Sequence, residues 1–255
     1  QSCAATPGQP DKLPFVMPVA MGLLSAADGS ALGLQLQGEA EAVGTERVLV
    51  LTQAEQTFCF INVDTAPVPS LLRGFSAPVT LDDGLDDAAL LVQLSHDTDA
   101  FNRWEAAQRL ALGRMQAALA DGGPMLLDEP YIEAMRAVLR HATLDAAFKQ
   151  HVLLPPSESY VAERCAVVDP QRIHAVREQF RLQLATRLQA DWLWAFDAHQ
   201  VREGYRPDVD QSGRRALANL ALRMIVLQAV ANGDSVWQGR AYQRFKDAGQ
   251  MTDRI

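Results

Sequence analysis

The sequence predicts a β-sandwich followed by an all-α, helical-repeat-like region, and three observations predict it. Ten charged residues fall in positions 1–80 and forty-four in positions 81–255. Seven of the 13 prolines lie in that first stretch, among short apolar or alternating runs. After Asp82 the apolar period lengthens from two residues to between three and four, and helix-start signals become explicit. The expected division is a β domain over residues 1–80 and a helical domain over 81–255.

In the β region, the runs 15–24, 31–36, 47–52 and 57–63 are bounded by turn-forming residues and read as strands. Asp28-Gly29-Ser30 supplies a short hairpin turn between the first two, because glycine enters the positive-φ region without steric cost. Phe58 and Phe60 are two residues apart, so they share one face of a sheet and are expected in the core. Pro67, Pro69 and Pro78 mark an edge or exit segment, since proline has no N–H to give to a central ladder.

The most explicit helix opens at Asp169-Pro170, a capping carboxylate followed by proline at the first helical position. Its stripe Ile173, Val176, Phe180, Leu184 and Leu188 predicts a helix running to about His199. Phe101, Trp104, Ala111, Met115 and Leu119 define a second helical face; Leu217, Leu220, Met224 and Leu227 define a third, on a helix expected over 213–231. Further helices are expected at 86–95, 130–140, 144–153, 157–164 and 235–248. Short connectors favour antiparallel neighbours in a bundle or stacked array, although no fixed sequence period marks true repeats.

Composition narrows the function. A net charge of −8 argues against a nucleic-acid surface, and 48% hydrophobic with 21% charged residues excludes global disorder. The longest uncharged stretch, 13–27, is interrupted by Pro14, Pro18 and Gly22 and is too short for a membrane helix, so no membrane span is expected. Cys3, Cys59 and Cys165 are odd in number and far apart, which suits a reducing, cytoplasmic address. The chain opens on Gln1 with no basic, then apolar, leader pattern, and is expected to be a piece of a longer polypeptide.

Chemistry-bearing patterns are sparse. His96, His141, His151, His174 and His199 show no pair at i, i+4 enclosing a Glu, and His141 with Asp145 lacks a third ligand. Ser95-His96-Asp97 holds the letters of a nucleophile triad, but adjacent residues at a helix end point apart; a helix C-terminus is expected, with Asp97 or Asp99 capping the next helix. Asp208, Asp210, Ser212 and Gly213 match the first, third, fifth and sixth positions of a calcium loop, yet its twelfth position is Asn219 and Arg215 adds positive charge, so a solvated loop ending in a cap is expected. Asp82, Asp83, Asp86 and Asp87 read as a linker and a negative helix start. Trp192 and Phe196 share a helix face while Trp194 points elsewhere, the pattern of a helix buried between neighbours. No catalytic, cofactor-binding or metal-ligating residue is assigned.

A resemblance is more specific. The segments Leu51-Thr52-Gln53-Ala54-Glu55-Gln56-Thr57-Phe58, Asn62-Val63, Pro67-Val68-Pro69-Ser70-Leu71-Leu72-Arg73 and Phe75-Ser76-Ala77-Pro78-Val79 resemble bacterial aminopeptidase N, a family of zinc alanyl aminopeptidases of the gluzincin class. Arg103-Trp104, Ala106-Ala107-Gln108, Val168-Asp169-Pro170, Arg215-Ala216-Leu217-Ala218-Asn219 and Met251-Thr252-Asp253 follow in the family's order. The resemblance implies most of the small β-sandwich that follows the catalytic domain, then the first part of the helical C-terminal domain. The family's H-E-x-x-H zinc site matches nothing in this chain, so zinc is implied for the parent enzyme only and the chain alone is expected to be inactive. The implied partners are the catalytic domain and remaining C-terminal helices of the same parent chain, with peptides as the parent's substrates. The chain would brace the catalytic domain and help enclose its cavity; the alternative is an autonomous β-plus-helical-repeat interaction module.

Overall fold

The computed structural model describes residues 1–254. The chain forms two compact units, Gln1–Ala106 and a second beginning at Ala107. In the first, β1 (Met17–Ser25) lies between β2 (Glu46–Leu51) and β3 (Pro67–Leu71) in an antiparallel sheet of order β2-β1-β3. The register sets Val19 opposite Leu49, and Met21 opposite both Arg47 and Leu71. Period-two alternation therefore gathers Met21, Leu23 and Leu49 on one face with Leu34, and Leu32, Leu36, Leu51, Phe58, Phe60, Val63 and Leu71 close around them. Phe58 and Phe60 do turn to the core, with Cys59 exposed between them. β3 is an edge strand, which is how it accommodates Pro67 and Pro69.

Two expected strands are not ladder strands. The segments 31–36 and 57–63 make only the single bridges Leu24–Ala31 and Leu36–Phe60. Gly38 (φ 97°) and Asn62 (φ 56°) turn the chain out of extended geometry. The backbone is satisfied pair by pair instead: Leu34 N–H donates to Gly44 O at 2.7 Å, and Ile61 N–H donates to Gln35 O at 2.9 Å. The Asp28-Gly29-Ser30 turn forms as expected, with Gly29 at φ 70° and Ser30 N–H donating to Asp28 Oδ1 at 3.0 Å. A Cβ at Gly29 would meet the His96 ring at 2.1 Å, so close approach as well as φ requires glycine there.

The helices are α1 (Asp87–His96), α2 (Ala100–Asp121), α3 (Glu129–Arg140), α4 (Ala146–Leu153), α5 (Glu158–Ala162), α6 (Pro170–Arg187), α7 (Gln189–Ala198), α8 (Val209–Ala231) and α9 (Val236–Asp247). Short polar side chains start many of them. Asp86, Asp128, Asp145, Ser157, Asp169 and Asp208 each accept from an amide three residues on. In the second unit α8 packs against α4, α6, α7 and α9. Tyr131 and Phe180 meet edge to face at 5.8 Å in its core.

Two helix boundaries differ from expectation. The helix predicted from Asp169 to about His199 breaks at Leu188 (φ −109°, ψ 24°) into α6 and α7. Leu184, Leu188 and Trp192 keep a spacing of four across the break, so periodicity does not register it. The bend lets Trp192 bury fully while its indole N–H donates to Leu184 O at 3.1 Å. The helix expected from Gly213 instead begins at Val209, capped by Asp208, so Asp210 and Gly213 are helical rather than part of a loop. Gly213 serves packing: a Cβ there would lie 2.8 Å from Ala147 N on α4.

Replacing Trp192 by Ala removes a large buried ring at this bend and is expected to cost about 3–5 kcal/mol, with Trp192→Phe clearly milder. Chemical denaturation of the two variants checks the ordering.

Candidate functional site

A polar cluster forms where β3 leaves the sheet. Leu72 (φ 56°), Gly74 (φ 59°) and Phe75 (φ 54°) all lie in the left-handed region, and this tight turn directs Arg73 inward. Two non-glycine residues there imply about 1–3 kcal/mol of strain each, which persists only if surrounding contacts over-determine the turn. They do. Arg73 Nη1 pairs with Asp97 Oδ1 at 3.2 Å and donates to Ser70 Oγ at 3.1 Å. Its Nη2 pairs with Glu46 at 2.8 Å and donates to Thr98 Oγ1 at 2.6 Å.

A second layer of bonds surrounds the ion pair. Asn102 Nδ2 donates to Ser70 Oγ at 2.8 Å, Gly74 N–H to Asp99 Oδ2 at 2.8 Å, and Asp99 N–H to Asp97 Oδ1 at 2.9 Å. Gln93 on α1 donates to Pro69 O at 2.8 Å. A Cβ on Gly22 of β1 would stand 2.8 Å from Arg73 Nη1, so glycine makes room for the guanidinium. The arrangement positions chain segments. It sets no nucleophile beside a base, and Arg73 spends its terminal nitrogens on partners within the unit.

In the second unit Asp191 plays a similar part, accepting from Arg136 Nε at 3.0 Å and Arg140 Nε at 2.7 Å. Arg140 also lies 4.1 Å over the Trp194 ring. The aromatic trio is thus occupied by protein groups: Trp192 is buried, Trp194 carries Arg140, and Phe196 meets Trp237 at 5.8 Å.

The histidines stand apart. His96 is exposed at the end of α1, His141 follows α3, His151 is exposed, and His174 pairs with Glu158 at 2.8 Å. His199 is half-buried, its Nδ1 2.9 Å from Ala195 O, and burial holds its pKa below the ordinary value. Among the described residues no group of three or more His, Cys, Asp or Glu is arranged to hold a metal ion. Within Ser95-His96-Asp97, His96 faces solvent and Asp97 is buried, so the two do point apart. Asp99 caps α2, accepting from Asn102 N–H at 2.9 Å. Asp97 is taken by Arg73, a pairing that sequence reasoning missed. The available signal was Arg73 itself, one of few charges before residue 80 and preceded by apolar residues.

Fold and site together describe an antiparallel sheet unit and a helical unit in which Arg73 and Asp191 are each held in internal ion pairs. Residues 1–84 match a domain of unknown function (DUF3458) with an Ig-like fold, and residues 87–255 match a domain of unknown function (DUF3458_C) of ARM repeats. Aminopeptidase N of Escherichia coli K12 is 34% identical over 258 residues, which cover 100% of this chain and 28% of that one. Aminopeptidase N of Caulobacter vibrioides is 36% identical over 226 residues, covering 88% of this chain and 26% of that one. A crystal structure of Legionella pneumophila aminopeptidase A in complex with aspartic acid shares the fold, with a TM-score of 0.77 at 24% identity over 93% of this chain and 27% of that one. The chain belongs to the DUF3458_C family and spans about a quarter of the length of the aminopeptidase N relatives it matches.

Two measurements test the site. Asp97→Ala strips a buried guanidinium of its buried carboxylate partner and is expected to cost about 3 kcal/mol, the low end for a broken buried pair because Glu46 remains; Glu46→Gln should cost within about 1 kcal/mol. Paired denaturation curves give both. For His199 the folded pKa is lowered, so the stability gained by keeping the ring neutral is complete above the unfolded pKa of about 6.5 and is lost as pH falls through the lower folded value. His199→Gln is expected to flatten that part of the stability-versus-pH curve, followed by thermal melts from about pH 7.5 to 5.

Proposed function

We propose that this chain is a non-catalytic part of a zinc-dependent aminopeptidase that removes N-terminal residues from peptides. It braces the catalytic domain and helps enclose the active-site cavity. The observation that carries this reading is collinear similarity over the whole chain to little more than a quarter of aminopeptidase N. The Arg73 cluster supports it, because a bracing element needs rigid joints rather than a reactive centre. Zinc belongs to another part of the parent in this reading, and the chain's partners are the catalytic domain and further helices of the same polypeptide. An autonomous interaction module is not favoured, since the similarity spans the sheet unit as well as the repeats.

The division at residue 80, sheet before and helices after, belongs to the same reading, as does a cytoplasmic address. Among the described residues no helix is long and apolar enough to cross a membrane.

Metal analysis and hydrolysis of alanyl anilide, run on this chain and on the parent, test the proposal. The parent is expected to carry zinc and turn over the substrate, and the chain alone to do neither. One tightly held zinc per isolated chain with turnover above a buffer blank overturns it. Limited proteolysis bears on the division: first cuts are expected in 81–87 or 201–213, and a first cut within 58–63 contradicts it.

A further inference from the structure

The chain has three lysines, Lys12, Lys149 and Lys246. Lys246 is exposed on α9, its Nζ 5.7 Å from the Tyr242 ring centre, and Lys12 is half-buried near the start of the chain. Lys149 differs from both. It stands in the middle of α4, a helix that packs on α8, and is 4% exposed. Its ammonium makes no hydrogen bond or ion pair among the described residues, yet Nζ is not one of the sealed polar atoms left without a partner. The stem is therefore enclosed while the amine keeps a narrow opening to solvent.

The carboxylates near Lys149 are committed elsewhere. Asp145, one turn earlier, uses Oδ1 to cap α4, accepting from Phe148 N–H at 2.8 Å. Asp210 lies 3.8 Å from Arg214 on α8. His199, at the end of α7, supplies no anion: its Nδ1 sits 2.9 Å from Ala195 O, and the positive charges of Lys149 and Arg214 add to burial in lowering its pKa, with Asp210 opposing. An amine enclosed without a paired counter-ion is a poor place for an ammonium. Burial accordingly pushes Lys149 below the ordinary lysine value, with Asp145 opposing.

We infer that Lys149 is an acylation site for small acyl phosphates, reacting without a modifying enzyme. The neutral amine attacks the acyl carbon, an N–C bond forms and the C–O bond to phosphate breaks. The amine proton leaves with inorganic phosphate, and a neutral amide remains. Size and charge select this class of donor. The opening that a 4% exposed side chain leaves suits an acetyl-sized reagent, whereas a transferase or a bulky thioester carrier needs a lysine that projects. The product is uncharged, so the enclosed position no longer holds a cation without a partner.

Treating the full-length protein with acetyl phosphate near neutral pH, at a dose that modifies Lys246, and quantifying each lysine by mass spectrometry tests this. Lys149 is expected to acetylate at least about threefold faster than Lys12 and Lys246, and all three to agree within about twofold once unfolded in guanidinium. Its rate should also level off at a lower pH than that of Lys246, which separates a lowered pKa from mere access. A Lys149 that reacts no faster than the other two in the folded protein overturns the inference. So does a preference that survives unfolding, because it then belongs to the local sequence, and so does a plateau at the same pH as Lys246.

Discussion

The buried guanidinium of Arg73 is the constraint around which the first unit is organised. Removing an arginine from water costs several kcal/mol unless its donors are met, and the unit meets them with Asp97, Glu46, Ser70 and Thr98. Those partners come from the second strand, the third strand and the turn after α1. Satisfying one cation therefore fixes three segments distant in sequence. The left-handed backbone at Leu72 and Phe75 and the glycine at position 22 follow from the same requirement, because the side chain must enter beneath β1 without colliding with it. α1 packs on β3 and β1, and Leu24, Val68 and Ser70 are buried at that end of the sheet. Strands and first helix thus belong to one compact unit.

The second unit solves a different problem: packing helices around α8. Close approach is achieved by Gly213 against Ala147, and the bend at Leu188 turns α7 so that Trp192 fills the interior. Polar groups go to helix ends and inter-helix pairs. Gln183 accepts from Leu127 N–H at 3.0 Å, Gln108 donates to Leu154 O at 3.0 Å, and Arg172 donates to the carbonyls of Ala118 and Gly123. Such bonds satisfy backbone groups that loops leave open, the same economy that places aspartates at helix starts. Side chains committed in this way hold shape.

Much of this was legible in the sequence for identifiable reasons. Asp169-Pro170 announced α6 because a capping carboxylate and an N1 proline act within four residues of each other. The Phe58 and Phe60 pair announced a sheet face because alternation is local. The segments 31–36 and 57–63 misled for the converse reason: they are apolar and extended, but whether an extended run joins a ladder depends on what lies beside it. Gly213 misled similarly, since a glycine in sequence is ambiguous between a turn and a tight helix crossing.

By itself, then, the sequence determined the change from strands to helices near residue 80, the helix starts, the two phenylalanines that face the sheet core and the resemblance to aminopeptidase N, all of them properties of neighbouring residues or of residue order. Only the tertiary structure decided that Arg73 would find Asp97, that Asp191 would join Arg136 and Arg140, and that α6 would bend into α7 at Leu188. The physical reason is range. Capping and alternation act over a few residues along the chain, whereas ion pairing and burial depend on which distant segments meet in space.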